Sequence, residues 1–70
     1  MKSIKEALFE EALYCKDSYR EAKEKYGEWD THTTVREFQV RALMNVIEES
    51  GYLDEWDKFI KQIAILRGII

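Results

Sequence analysis

The residues best equipped for chemistry in this 70-residue chain sit in "KYGEWDTHTT", Lys25 to Thr34. Glu28, Asp30 and His32 alternate there, so an extended backbone would point all three side chains the same way. One imidazole and two carboxylates are a set able to bind a transition metal. His32 is the chain's only histidine, however, and neither an HExxH pattern nor a carboxylate-helix arrangement of the di-iron type accompanies it. Cys15, the only cysteine, is the other reactive group. A reactive thiol needs an exposed, electropositive setting. Cys15 instead falls within an apolar helical seam, on a different element from His32. Among 14 acidic residues some pair of carboxylates can always be found, so acid–base catalysis has no specific signature here. No Gly-rich phosphate loop is present. The expectation is a non-enzymatic chain without metal or cofactor, in which "EWDTHTT" links two helices and Thr31, Thr33 and Thr34 supply capping hydroxyls.

The elements around that link are marked by punctuation. There is no proline, and Gly27, Gly51 and Gly68 each follow a stretch of helical periodicity, where a glycine can end a helix with positive φ. Ser3 with Glu6, and Thr34 with Glu37, form capping-box patterns. Asp54, Glu55 and Asp57 place negative charge on a third first turn, where the helix dipole favours it. These signals predict helices at about 4–26, 35–50 and 55–67. The fold class is all-α, a small three-helix bundle, or a helical hairpin plus a third helix completed by dimerisation. The whole chain, 1–70, reads as one helical domain.

Bulk properties narrow the function. Hydrophobic content of 46% and charged content of 36% describe a globular chain, and the formal net charge of −3 argues against a nucleic-acid binder. A helix-turn-helix formed by the second and third helices would meet phosphates with Asp54, Glu55 and Asp57. The longest apolar run, "IAIL", is far too short to span a bilayer, and the N-terminus does not read as a signal peptide. A cytoplasmic location is the expectation. A chain of this length forms a marginal core alone, and with no disulfide framework association is the remaining route to stability.

The apolar faces show where association would occur. The first helix has a seam of Ile4, Leu8, Ala12, Cys15, Tyr19, Ala22 and Tyr26. In the second, Val35, Phe38, Ala42 and Val46 share one face and read as the inward one, while Val40, Leu43, Met44 and Ile47 carry apolar surface round to the far side. The third places Trp56, Phe59, Ile60, Ile63 and Leu66 on one face, with Ile70 beyond its end. The ending "ILRGII" is expected to dock onto something. Three groups exceed what a minimal core requires: Phe9 with Leu13, Val40 with Met44, and Ile65 with Ile69. They are the candidate oligomer interface, of a homodimer in particular.

A second candidate surface lies at the turn between the second and third helices. Glu48, Glu49, Asp54, Glu55 and Asp57 crowd it, with no basic residue before Lys58. Glu48 and Glu49 sit at a helix C-terminus, where the dipole disfavours anions. Together with Tyr52 and Trp56 as aromatic anchors, they predict an acidic docking surface for a partner protein with a basic face. The function expected is a small acidic protein-binding module, an inhibitor, regulator or adaptor. Short acidic helical chains that phages and mobile elements direct at host proteins are a class it fits. A self-associating assembly component and a nucleic-acid-binding regulator are the alternatives.

Overall fold

The computed structural model describes residues 1–69, and Ile70 lies outside the described residues. The protein is an all-α three-helix bundle of α1 (Ile4–Tyr26), α2 (Thr31–Glu49) and α3 (Leu53–Leu66), with no strand among the described residues.

Each boundary has a local cause. The Ser3 side chain accepts from the backbone N–H of Glu6 and starts α1. Gly27, at φ 91°, ends it and donates its N–H to the Lys23 carbonyl. The next helix begins earlier than the Thr34–Glu37 pattern predicts. Asp30 is the N-cap of α2, its Oδ1 accepting from the backbone N–H of His32 at 2.9 Å. The link between α1 and α2 therefore shrinks to residues 27–30, and "THTT" becomes the first turn of a helix. Thr33, only 1% exposed, closes the joint by donating its hydroxyl to the Gly27 carbonyl at 2.7 Å. A link this short makes α1 and α2 an antiparallel hairpin.

That hydroxyl contact also sets which way α2 faces. Residues seven apart on a helix lie nearly in line, so with Thr33 turned inward Val40 and Ile47 follow it. Ile47 has no exposed surface at all, Val40 and Leu43 are half-buried, and Met44 packs against the core. The face formed by Val35, Phe38, Ala42 and Val46, expected to be inward, is on the outside instead. The two faces are close in hydrophobicity, and the capping geometry at the hairpin link selects between them.

The α1 seam is inward as expected from Leu8 to Ala22, where the small side chains of Ala12, Cys15 and Ala22 let α2 approach closely. Its two ends, Ile4 and Tyr26, are exposed. Phe9, set off that seam, is nonetheless buried, because α3 lies over it. Its ring meets Trp56 and Phe59 at 5.4 Å each and Tyr52 at 6.3 Å. Such edge and tilted contacts add to the area each ring buries. Close backbone approach is largely confined to α1 and α2, so α3 stands off by the width of these rings. It runs in the same direction as α1, with Lys5 paired to Glu55 at one end and Asp17 to Arg67 at the other.

Neighbouring residues on opposite faces of α2 test this register. Ile47→Ala should cost about 2–5 kcal/mol, the range for emptying a fully buried aliphatic site. Val46→Ala should stay within about 0.5 kcal/mol when unfolding is measured at low protein concentration. Urea denaturation of both variants gives the comparison, and equal losses would reverse the assignment of faces.

Candidate protein-binding surface

The outer face of α2 is the largest consequence of that register. Val35, Phe38, Ala42 and Val46 are all exposed, with Phe38 at 61%. They follow one another at helical spacing over about 16 Å of axis, taking 1.5 Å per residue. Gln39 and Asn45 flank them on the same exposed side. Glu37 and Arg41 bond to each other at 2.7 Å one turn apart. Scattered exposed apolar residues are ordinary, whereas an aligned set on one helix is the pattern of a contact surface.

At its C-terminal end this face meets the acidic corner. Glu48, Glu49, Asp54 and Asp57 are exposed there, and Glu55 is paired with Lys5 at 3.1 Å. No basic residue occupies the last turn of α2. The carboxylates of the expected docking surface are thus accessible, but its aromatic anchors are not. Trp56 is 3% exposed and stacks on Phe59 at 5.6 Å, with the Lys16 ammonium over its ring. Tyr52 is half-buried, edge-on to Phe9. Both rings help seat α3 on the hairpin, and Trp56 has almost no surface left to offer a partner.

The expected oligomer surface is corrected in the same way. Phe9 is in the core, and Val40 and Met44 are on the inward side of α2, so none of the three offers a free face. Leu13 is half-buried in a groove of about 150 Å³ between α1 and α3, with Ile60, Ile63, Ala64 and Ile69. Ile65 and Ile69 are exposed as expected. Leu66, assigned inward by its spacing, is 81% exposed. Val35, Phe38, Ala42, Val46 and Leu66, read as inward from the sequence, are thus all exposed. The signal that finds the first four is the recurrence of Thr33, Val40 and Ile47 at intervals of seven behind an Asp cap.

The reactive residues have structural roles. His32 directs Nδ1 at Asp30 Oδ1 over 2.8 Å, and its ring stacks on Tyr26 at 4.4 Å. The bonds from the backbone N–H and then the ring of His32 hold the Asp30 carboxyl below the usual carboxylate range. Among the described residues, no three His, Cys, Asp or Glu side chains gather at metal-binding distance. A cleft of about 290 Å³ lies beside His32, lined also by Tyr14, Ser18, Lys25, Tyr26 and Arg36. Cys15 is buried, and burial followed by the neighbouring Glu11 pushes its thiol up, away from the reactive thiolate. No helix of the described residues is long and apolar enough to cross a membrane.

The end of α3 is held by a two-pronged ion pair. Arg67 donates from both terminal nitrogens to Asp17, at 2.9 and 2.8 Å. The Arg67 hydrogen bonds hold the Asp17 carboxyl below its ordinary value of 3.8. A carboxyl depressed in the folded state stabilises the fold above its unfolded value, and the contribution is lost as pH falls through the folded one. Asp17→Asn should therefore destabilise the protein at pH 7, by no more than about 1 kcal/mol because the pair is partly solvated. The gap between variant and parent should close as pH drops from about 4 downwards. Urea unfolding across that range is the measurement, and a gap independent of pH would deny the pair its role.

Compared with models of protein families, with curated proteins and with solved structures, the chain matches none.

Proposed function

We propose that this protein is a non-enzymatic protein-binding module, an inhibitor, regulator or adaptor that acts by laying the outer face of α2 against another protein. The observation that carries the reading is the alignment of Val35, Phe38, Ala42 and Val46 on a face that no other element of the bundle covers. Apolar residues at such spacing are the anchors by which helices recognise one another and hydrophobic grooves. The exposed carboxylates at one end of the face supply long-range attraction for a basic partner, which acts mainly on the rate of encounter. Cytoplasmic action, as a small acidic regulator of a larger protein, is the setting this surface suits.

The test is recovery of the tagged full chain from lysate of its native cells, with two variants alongside. Phe38→Glu should leave the helical circular dichroism spectrum intact, since the side chain is exposed, and reduce recovery of the bound protein at least about tenfold, as for a hot-spot residue. Glu49→Lys should slow association and weaken its dependence on salt while changing dissociation little. A bound protein recovered equally by the parent chain and by Phe38→Glu would overturn the reading.

A further inference from the structure

The cleft of about 290 Å³ on the flank of the hairpin is used neither by the core nor by the outer face of α2. Its floor is made by two small side chains one turn apart on α1, the half-buried Ser18 and the buried Ala22. Tyr14 and Tyr26 bound it along α1, and Glu21 and Lys25 line the same flank, because positions 14, 18, 21 and 25 recur at helical spacing. The short link at residues 27–30 returns α2 alongside, so His32 and Arg36, again one turn apart, form the opposite wall. His32 is fixed there by its stack on Tyr26 and its bond to Asp30. The Asp30 carboxylate is taken up by the backbone N–H and ring of His32, and it does not line the cleft.

Arg36 differs from the other three arginines of the chain. Arg20, Arg41 and Arg67 each pair with a carboxylate. Arg36 is half-buried and meets only the neutral side chain of Gln39, at 3.1 Å. Among the described residues neither Arg36 nor Lys25 forms an ion pair, and the Lys25 ammonium lies over the Tyr26 ring at 5.3 Å. A guanidinium that is partly desolvated without an anion gains from binding one.

We infer that this cleft binds a small sugar or polyol phosphate, with Arg36 and Lys25 on the phosphate and Glu21, Ser18 and the tyrosine hydroxyls on the ligand's hydroxyl groups. Two neighbouring cations match a phosphate monoester, with its charge of about −1.5 to −2 and three acceptor oxygens. A carboxylate is satisfied by one arginine fork alone. The Glu21 carboxylate opposes a ligand that is anionic throughout, and as an acceptor it suits hydroxyl donors. The volume is at the small end for ligand sites, which limits the occupant to a single sugar or a shorter polyol. With Tyr14, Glu21 and Lys25 all exposed, a Kd on the order of 0.1–1 mM is expected. The inference does not rest on the protein-binding reading, because the cleft stands apart from Val35, Phe38, Ala42 and Val46.

Titration of the full chain with glucose-6-phosphate at constant ionic strength, followed by amide NMR, is the test. Shifts should centre on Ser18, Ala22, Lys25, His32 and Arg36. Inorganic phosphate should bind at least about threefold more weakly, and glucose should not bind measurably at about 10 mM. Lys25→Gln, at an exposed position that leaves the fold intact, should weaken binding about three- to tenfold, and Arg36→Gln about tenfold or more. Glu21→Gln separates the ligand's hydroxyls from its phosphate: the preference for glucose-6-phosphate over inorganic phosphate should fall about two- to fivefold. No shifts in the cleft at about 10 mM glucose-6-phosphate, or shifts spread evenly over the exposed lysines, would overturn the inference. So would binding unchanged in both Lys25→Gln and Arg36→Gln. Equal affinity for inorganic phosphate and glucose-6-phosphate would overturn the assignment to a sugar or polyol phosphate.

Discussion

Ile47 has no exposed surface, and Thr33, two heptads earlier on the same side of α2, has almost none. These two positions fix the rotation of α2 about its axis, and the remaining architecture depends on that rotation. Thr33 is held by a single hydroxyl contact to Gly27 at the hairpin link. Ile47 fills the space among Phe9, Ala12 and Trp56, where the three helices converge. A helix turned by half a revolution would bury Phe38 and Val46 in their place. It would also break the Thr33 contact and strand a threonine hydroxyl where it can bond only to water. The net worth of one such hydrogen bond is about 1 kcal/mol, enough to choose between two faces of similar hydrophobicity.

The third helix is placed by aromatic volume. Phe9 projects from α1 outside the seam that α2 occupies, and Trp56, Phe59 and Tyr52 gather round it. Rings of this size hold α3 away from the hairpin, so burial along it is uneven. Its first half is anchored by Trp56, while Ile65, Leu66 and Ile69 extend into solvent. The Asp17–Arg67 pair ties this loosely covered end back to the middle of α1. Its orientation is set by two parallel hydrogen bonds, a geometry available to arginine and not to lysine.

With the core settled in this way, the features used by the proposed function lie on the surface. The chemically capable residues are engaged in local structure: Asp30 caps α2, His32 stacks on Tyr26, and Cys15 is a small apolar neighbour of α2. The apolar line on α2 and the carboxylates at its end have no such internal use. Glu48 and Glu49 stand at the end of a helix whose dipole opposes them, which gives the surface a polarity as well as an apolar centre.

The sequence by itself determined the helical class, the three elements and the position of every glycine that ends one. Gly27 is at positive φ where helical periodicity stops, because left-handed backbone there is a local requirement. It also located the acidic corner, since charge order along a turn is local. It did not determine which side of α2 is inside. Val35, Phe38, Ala42 and Val46 make as good an apolar stripe as Thr33, Val40, Met44 and Ile47, and periodicity measures only that a stripe exists. Nor did it determine the fate of Phe9, Tyr52 and Trp56, whose surroundings come from residues more than forty positions apart in the chain. Burial of these side chains is a property of how α3 crosses the hairpin, and only the tertiary structure decides which apolar surface is consumed and which stays exposed.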